Sequence, residues 1–453
     1  MKDLILEIKN IGIINKAEIK INKINIIAGK NASGKTTSSK LLYSFLITLS
    51  DEEKFLYDDK FISSLKRFNH DIFMKLNNID SFESENYSNL KKSSNVLKAL
   101  INDFNFIIDE EKIALNKIIE DFDKYLEALN YLESNGIEKR FKDIKIAWNL
   151  KESNSNEYYS ELLKSLIEYE FGNKKENLIN QGESWVKLYE NDIFEFESSF
   201  PIGIGELKYK NKGFLINDVF YIDTPYLFDF YKSLFRIPSR PFYNQSYYFH
   251  HQSLLRRLKS QNEPDWNFSK ESNLNLKKMI NDVIDGTIYY DDKINDFRFK
   301  KGDEDFAIKN TAAGEKSIGI IQSLIYKELD TNSLIIMDEP EVHLHPEWQL
   351  KLAEIIVLLS KENDIAFYIN SHSPQFIEAI DTYSMYYEVH DTVNYYLTEN
   401  SDENPSKFNI NPVEQSDLVK IYNHLGDPYD KLDEIRGKIK VRNISKVKDG
   451  DNY

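Results

Sequence analysis

Cysteine is absent from all 453 residues. This excludes disulfides, a thiol nucleophile and any cysteine-based zinc site, and it fits a reducing compartment, so a cytoplasmic location is expected. Proline and glycine are scarce, at 11 and 16 residues, too few for a collagenous or low-complexity chain. No Pro/Ser-rich linker and no fixed-period repeat divides the sequence. No apolar run approaches the roughly 18 residues that mark a spanning helix. Met1-Lys2-Asp3-Leu4 also lacks the apolar core and small-residue cleavage site of a secretory signal, so no membrane attachment is expected. Positive charge is in deficit too: 58 Lys and Arg against 74 Asp and Glu leave a net charge of -16. A protein coating duplex nucleic acid over a wide face is normally basic. Here, contact with nucleic acid would be confined to local patches.

What is present is ordinary globular material, 41% hydrophobic and 29% charged, and long enough for more than one domain. Leu4-Ile5-Leu6-Glu7-Ile8 and Ala17-Glu18-Ile19-Lys20-Ile21 alternate as half-buried strands, and Ile24-Asn25-Ile26-Ile27-Ala28 reads as a buried one. A helix follows through Leu41, Leu42 and Phe45. From about residue 51 to 200 the pattern turns to charged segments of helical period, as in Leu115, Ile118, Ile119, Phe122, Leu126 and Leu129, with a stop at Asn135-Gly136. The reading is an inserted helical lobe rather than a coiled-coil arm, because the heptads are not sustained. Strand signals return at Val219-Phe220-Tyr221-Ile222, a hairpin is expected around 297–308, and buried strands are expected at Ser333–Met337 and Ile365–Ile369. A helix through Leu418, Ile421, Tyr422 and Leu425 is expected to stop at Gly426, with a second starting at Asp427-Pro428. The divisions are therefore 1–50, a helical insertion 51–200, a second part 201–400, and a helical tail 401–453.

Three motifs carry chemistry. Gly29-Lys30-Asn31-Ala32-Ser33-Gly34-Lys35-Thr36 fits G-x-x-x-x-G-K-[ST] in full, directly after a strand and opening a helix. Its backbone N–H groups, together with Thr37 in the first turn, would cradle phosphate oxygens. Lys35 would reach the outer phosphates of ATP, and the Thr36 hydroxyl would ligate Mg²⁺. Leu334-Ile335-Ile336-Met337 delivers Asp338 and Glu339 at a strand tip, where ligands gather in an open α/β sheet. Asp338 would hold Mg²⁺, and Glu339 would deprotonate the attacking water. His372 ends the next buried strand, on the same edge, and would touch the γ-phosphate or that water. The pair His343 and His345 stands beside acids that include Glu341, yet a dedicated zinc site is not expected there.

In this order, the pieces resemble the ATP-binding-cassette ATPase heads of the SMC, Rad50 and RecF type. They look closer still to the OLD-like and defence-system ATPases of the AAA_15/AAA_21 kind. The match rests on LEIKNIGIINKAEIKINKINIIAGKNASGKTT, LIIMDEPEVHLHPEWQ and FYINSHSPQFIEAI, and it spans roughly residues 1–50 and 215–390. The resemblance implies an α/β head with a mixed β-sheet flanked by helices, and a head-to-head homodimer, with higher assembly left open, that sandwiches ATP. It places the partner-facing signature segment at Thr311–Lys316, where Gly314, Glu315 and Lys316 match and Ala312 replaces the serine. That replacement leaves sensing across the dimer to backbone N–H groups, the following helix N-terminus, Lys316 or Ser317. The D-loop falls at His343–Pro346. The Q-loop position falls at Thr224, with no glutamine there.

No TOPRIM, HNH or zinc-hook pattern is present, so the resemblance implies an ATPase switch that controls a separate effector, a nuclease by kinship. Septu, PARIS and retron antiphage systems pair such ATPases with effectors. A RecF/SMC-like DNA-repair ATPase and a self-contained nuclease are the alternatives. Basic residues at Lys431, Arg436, Lys438, Lys440, Arg442, Lys446 and Lys448, and at Arg236, Arg240, Arg256 and Arg257, are the patches open to nucleic acid.

Overall fold

Leu4–Ile11 and Ile14–Ile21 alternate buried and solvent-facing residues and form antiparallel strands β1 and β2. Ile24–Ala28 shows no alternation because both its faces are covered, and it forms β3, buried throughout. The computed structural model describes residues 4–49, 156–171, 182–190, 194–199, 206–209, 218–231, 249–259, 271–326 and 332–450, with single positions between 65 and 145 and at 216 and 329.

The remaining elements, in chain order, are α1 (Lys35–Leu49), α2 (Asn156–Phe171), β4 (Trp185–Glu190), β5 (Phe194–Ser199), β6 (Glu206–Tyr209), β7 (Val219–Ile222), α3 (Phe249–Lys259) and α4 (Glu271–Ile284). They continue with β8 (Thr287–Asp291), β9 (Asp296–Lys301), β10 (Glu304–Ala307), α5 (Ala313–Tyr326), β11 (Leu334–Asp338) and α6 (Pro346–Asn363). Last come β12 (Ala366–Ser371), α7 (Pro374–Tyr386), β13 (Val393–Asn400), β14 (Phe408–Val413) and α8 (Val419–Gly450).

Two compact units are distinguished: Met1–Leu46 with Ser165–Arg240 and Asn244–Tyr453, and Ile47–Lys164 with Pro241–Tyr243. The first carries an eleven-stranded mixed sheet in the order β6-β5-β4-β1-β2-β14-β13-β3-β12-β11-β7. Its β13, β3, β12, β11 and β7 run parallel, while β6 to β2 form an antiparallel wing. The smaller meander β8-β9-β10 contains the expected hairpin, turned at Gly302-Asp303. The fold is α/β, a mixed sheet flanked by helices.

Alternation along the parallel strands gives each face its own partner. Ile24, Ile26, Ile335, Met337, Phe367 and Ile369 join the apolar core built with Leu324 of α5, Ile356 of α6 and Ile377 of α7. On the opposite face, Tyr368 and Tyr221 meet α1, whose Ser38 and Ser39 hydroxyls bond their phenols at 2.9 Å each. Buried tyrosines need such partners, and serines on a buried helix face supply them.

Three boundaries differ from expectation. Trp185-Val186-Lys187-Leu188-Tyr189-Glu190 lies inside the stretch 51–200 read as helical, yet it alternates at period two and pairs with β1 as β4, and β5 follows. Its two charges, Lys187 on the outer face and Glu190 on the buried one, masked the strand pattern. Phe408–Val413, inside the expected helical tail, forms β14 between β2 and β13. The predicted break at Gly426–Pro428 does not occur: α8 runs through it, and Gly426 is not among the glycines that turn left-handed to end a helix.

In the second unit the described positions between 65 and 145 are helical. Phe68 stacks on Phe141 at 5.3 Å, and Leu65, Ile72 and Ile144 are buried. Of the 115–129 periodicity, only Ile119 and Glu120 fall within the described residues, and Asn135-Gly136 lies outside them.

Candidate functional site

Because β3, β12, β11 and β7 are adjacent and parallel, the residues that follow them share one carboxyl edge. Ala28 pairs with Ser371, Asp338 with Asn370, and Met337 with Ile222. Gly29, His372, Glu339 and Asp223 therefore emerge side by side.

The loop 29–36 closes onto that edge. A Cβ on Gly29 would lie 1.8 Å from the Thr398 hydroxyl, so only glycine lets the loop pass this closely. Gly34 holds φ +96° above Ile14, whose Cγ1 a Cβ would meet at 2.7 Å. Ser33 is buried and accepts from Thr398 Oγ1 at 2.7 Å. Lys30, Asn31 and Ala32 form the exposed rim, with Ala32 at φ 58°. Thr37 is half-buried in the first turn of α1.

Lys35, only 4% exposed, donates to the carbonyls of Gly29 at 2.9 Å and Lys30 at 3.0 Å, and its Nζ lies 3.8 Å from Glu339 Oε1. Burial pulls its pKa below the usual lysine value, against the opposing pull of Glu339 and Asp338. Thr36 Oγ1 donates to Asp338 Oδ2 at 2.7 Å. That pair is a set of hard oxygen donors of the kind Mg²⁺ takes.

Asp338 also accepts from Asn370 Nδ2 at 3.0 Å, and Asn370 donates to Ser39 Oγ at 2.9 Å. Burial raises the Asp338 pKa, while the bonds from Thr36 and Asn370 hold it down. Glu339 does not continue the strand. Its φ is 51°, fixed by its own N–H donating to the Asn370 carbonyl at 2.9 Å. A left-handed glutamate costs about 1–3 kcal/mol, strain of a kind that gathers at functional sites. The two acids have different partners, Asp338 bonding Thr36 and Asn370 while Glu339 stands near Lys35 and His372.

His372 Nδ1 lies 3.2 Å from Glu339 Oε1 and 3.7 Å from Glu341 Oε1. Glu341 is 3% exposed; it accepts from Ser371 Oγ at 2.7 Å and from the His372 N–H at 3.1 Å. Its role is to fix the switch-like loop after β12, and burial raises its pKa.

A cleft opens here, lined by Thr36, Asp223, Thr224, Ser317, Asp338, Glu339 and His343. Thr224 accepts from Tyr226 N–H at 3.2 Å and so caps the helical turn Pro225–Phe230. His345 caps α6 through Nδ1, and His343 packs against the Tyr226 ring at 5.5 Å. Among the described residues, neither joins a group able to hold a metal ion.

In the signature segment, Glu315 accepts from the Ala312 N–H at 3.2 Å, closing the start of α5. Lys316, its side chain 3% exposed, donates from Nζ to both Asp229 carboxylate oxygens at 2.7 and 3.0 Å. Gly314 lies against the His343 carbonyl, which a Cβ would approach to 3.1 Å.

Sequence reasoning did not find Asn370, Tyr221, Ser39 or the residues around Asp223. The only available signal was the doublet His250-His251. Of the basic patches, Arg257 lies 4.1 Å over the Phe220 ring and 3.6 Å from Asp218, so it packs on the sheet. Arg436 pairs with Asp433 at 2.7 Å, and the side chains of Arg236, Arg240, Lys431, Lys440, Arg442, Lys446 and Lys448 lie outside the described set.

A phosphate-binding loop, an acidic strand tip and a histidine one strand away on a parallel α/β edge define the class of P-loop nucleotide-binding proteins. The chain belongs to the AAA_15 family, described as an AAA ATPase domain, whose pattern matches residues 1–377. Among solved structures it is similar to the SMC head domain from Thermotoga maritima (11% identity, 91% of this chain and 100% of that chain, TM-score 0.36). It is also similar to an SmcHead bound to the C-winged helix domain of ScpA (10% identity, 90% and 97%, TM-score 0.40). A third is an Smc head domain with an extended coiled coil from Pyrococcus furiosus (12% identity, 95% and 98%, TM-score 0.31). No curated protein matches the chain. Among the described residues, no helix is long and apolar enough to cross a membrane.

Proposed function

We propose that this chain binds and hydrolyses ATP as a conformational switch, and that it acts as a head-to-head dimer controlling a separate effector, a nuclease, in prokaryotic antiphage defence. One observation carries the catalytic reading: the phosphate loop and the acidic strand tip meet, with Thr36 2.7 Å from Asp338 and Lys35 3.8 Å from Glu339. The effector and the defence role rest on the resemblance of the motifs.

The loop N–H groups and the start of α1 bind phosphate oxygens. Lys35 turns from two neutral carbonyls to a charged phosphate, a stronger partner. Thr36 and Asp338 are the residues that would hold Mg²⁺, which supplies neutralisation of phosphate charge. Glu339 takes a proton from water as its oxygen bonds to the γ-phosphorus and the bond to ADP breaks. His372, 3.2 Å from Glu339, orients that carboxylate and sits where the γ-phosphate would report its loss.

The test is Glu339→Gln, measured by steady-state hydrolysis beside nucleotide titration. Turnover should drop about 10²–10⁴-fold, the usual worth of a general base, while ATP binding persists and a loaded dimer accumulates in size-exclusion runs. Hydrolysis at the parental rate would refute the assigned base.

A further inference from the structure

Behind the cleft, on the side of β7, four residues from three separate elements converge. Asp223 follows β7, His250 and His251 lie in the first turn of α3, and Glu170 is near the end of α2. His250 Nε2 is 3.1 Å from Asp223 Oδ2, and His251 Nε2 is 2.7 Å from Asp223 Oδ1. One donor atom from each of these three residues lies within 4.8 Å of the others. On the far side of the ring, His250 Nδ1 is 2.5 Å from Glu170 Oε2, and the His250 N–H donates to Glu170 Oε1 at 3.0 Å. His250 and Glu170 are both wholly buried.

We propose that Asp223, His250 and His251 form a binding site for a divalent first-row transition metal of the zinc class, with Glu170 as the group that orients His250. This reading stands apart from the ATPase assignment.

Chemistry and geometry support it together. Two imidazole nitrogens and one carboxylate oxygen are the donor set of catalytic zinc and related centres, which leave one or more positions to water. Zinc–nitrogen and zinc–oxygen bonds of about 2.0–2.2 Å set tetrahedral ligands about 3.4 Å apart. The donors, within 4.8 Å of one another, already face a common point, and an ion would replace the two hydrogen bonds that now join them. Glu170 completes the pattern: ligating histidines hand their second nitrogen to a carboxylate, which fixes ring and tautomer. A glutamate with no exposure is costly unless paired, and His250 pairs it through both its backbone N–H and its ring.

Lys40 is a buried cation close to Glu170 and Asp223, and its Nζ donates to the Glu170 carbonyl at 3.0 Å. The nitrogen donors also separate this site from the Thr36–Asp338 pair, because Mg²⁺ prefers oxygen. The ion would lie one strand from Asp338. Tyr221 joins the two places, its ring 4.5 Å from that of His250 and its hydroxyl 3.5 Å from Asp338 Oδ2. By tying the tip of β7 to α3, the ion would fix Asp223 and the adjacent Thr224 at the wall of the cleft.

The experiment uses the full chain, dialysed against zinc with excess magnesium and then freed of loose metal, with metal content read by mass spectrometry and affinity by calorimetry. The expected result is one retained equivalent, lost in His251→Ala and in Asp223→Asn, and kept in His343→Ala/His345→Ala. Glu170→Gln should weaken affinity about 10–100-fold. Zinc-edge absorption on the unaltered chain, which needs no variant to fold, should show scattering from two imidazoles. No retained zinc, zinc that persists in His251→Ala, zinc lost with His343 and His345, or a spectrum without imidazole scattering would each overturn the site. In those cases His250 is simply a cation wedged between two carboxylates.

Discussion

Two lysines open helices at the sheet, each close behind a glycine, and each is almost wholly buried. Lys35 is 4% exposed and Lys316 3%. Their partners differ in kind. Lys35 rests on two neutral carbonyls, with Glu339 3.8 Å away, whereas Lys316 is gripped by both oxygens of Asp229. A charge held by dipoles is exchangeable, since a phosphate offers more than a peptide carbonyl. A charge already neutralised by its own chain would have to break a buried pair before serving anything else. The contrast is between a lysine on neutral carbonyls and a lysine in an ion pair, although the local sequence around both resembles a nucleotide motif.

The largest expected effect breaks the comparison on the side of function. Lys35→Met should cut ATP turnover by about 10²–10³-fold, the scale of losing one positioned donor to developing charge. Denaturant unfolding should shift by no more than about 1.5 kcal/mol, because only hydrogen bonds to carbonyls are lost. Next comes Lys316→Met, which should do the reverse. It strands the Asp229 carboxylate and should cost about 1–3 kcal/mol. That is less than the roughly 3–5 kcal/mol of a fully enclosed pair, because Asp229 keeps 28% exposure. Adding Asp229→Asn should restore most of the loss, and ATP binding should be unchanged throughout. A Lys316→Met chain of normal stability that fails to bind ATP would erase the distinction.

Contiguous chemistry was legible, and so was the meeting of the motifs at one sheet edge, but the side-chain partners drawn from elsewhere in the sequence were not. The loop 29–36 states its own geometry, since glycines, lysine and threonine stand at fixed offsets after an apolar strand. The acidic tip at Asp338-Glu339 was equally visible as the end of a buried run. That the two meet depends on β12 lying between β3 and β11, a strand order the local pattern does not encode. The left-handed turn of Glu339 is imposed by the Asn370 carbonyl, from the neighbouring strand. Asp229, the partner of Lys316, lies 87 residues upstream, and Glu170 is 80 residues from His250. Such partners are chosen by packing, so composition and period cannot announce them. The strand Trp185–Glu190 was missed for a different reason: Lys187 and Glu190, three residues apart, read like the polar face of a helix, although Glu190 turns to the buried side of the strand.

The glycines beside the two lysines allow the smallest and sharpest test. Gly34 is required by its own conformation, at φ +96° with Ile14 close above it. Gly314 has no left-handed backbone, and a Cβ there meets only the His343 carbonyl at 3.1 Å and the Trp348 ring at 3.4 Å. Two opposing effects then decide Gly314→Ala. Alanine in a helix gains about 1 kcal/mol over glycine, and easing one tight contact takes back a comparable amount. Stability should stay within about 1 kcal/mol of the parent, as read by denaturant midpoint. If the segment serves a facing subunit, as its resemblance implies, the added methyl should instead impair ATP-dependent dimerisation, measured by light scattering with Glu339→Gln as background. A fall in stability with dimerisation intact would mean that Gly314 is needed only for its contact with His343 inside one chain. Lys316 and Gly314 would then both belong to the architecture of the head, and the surface facing a second copy would have to be sought elsewhere.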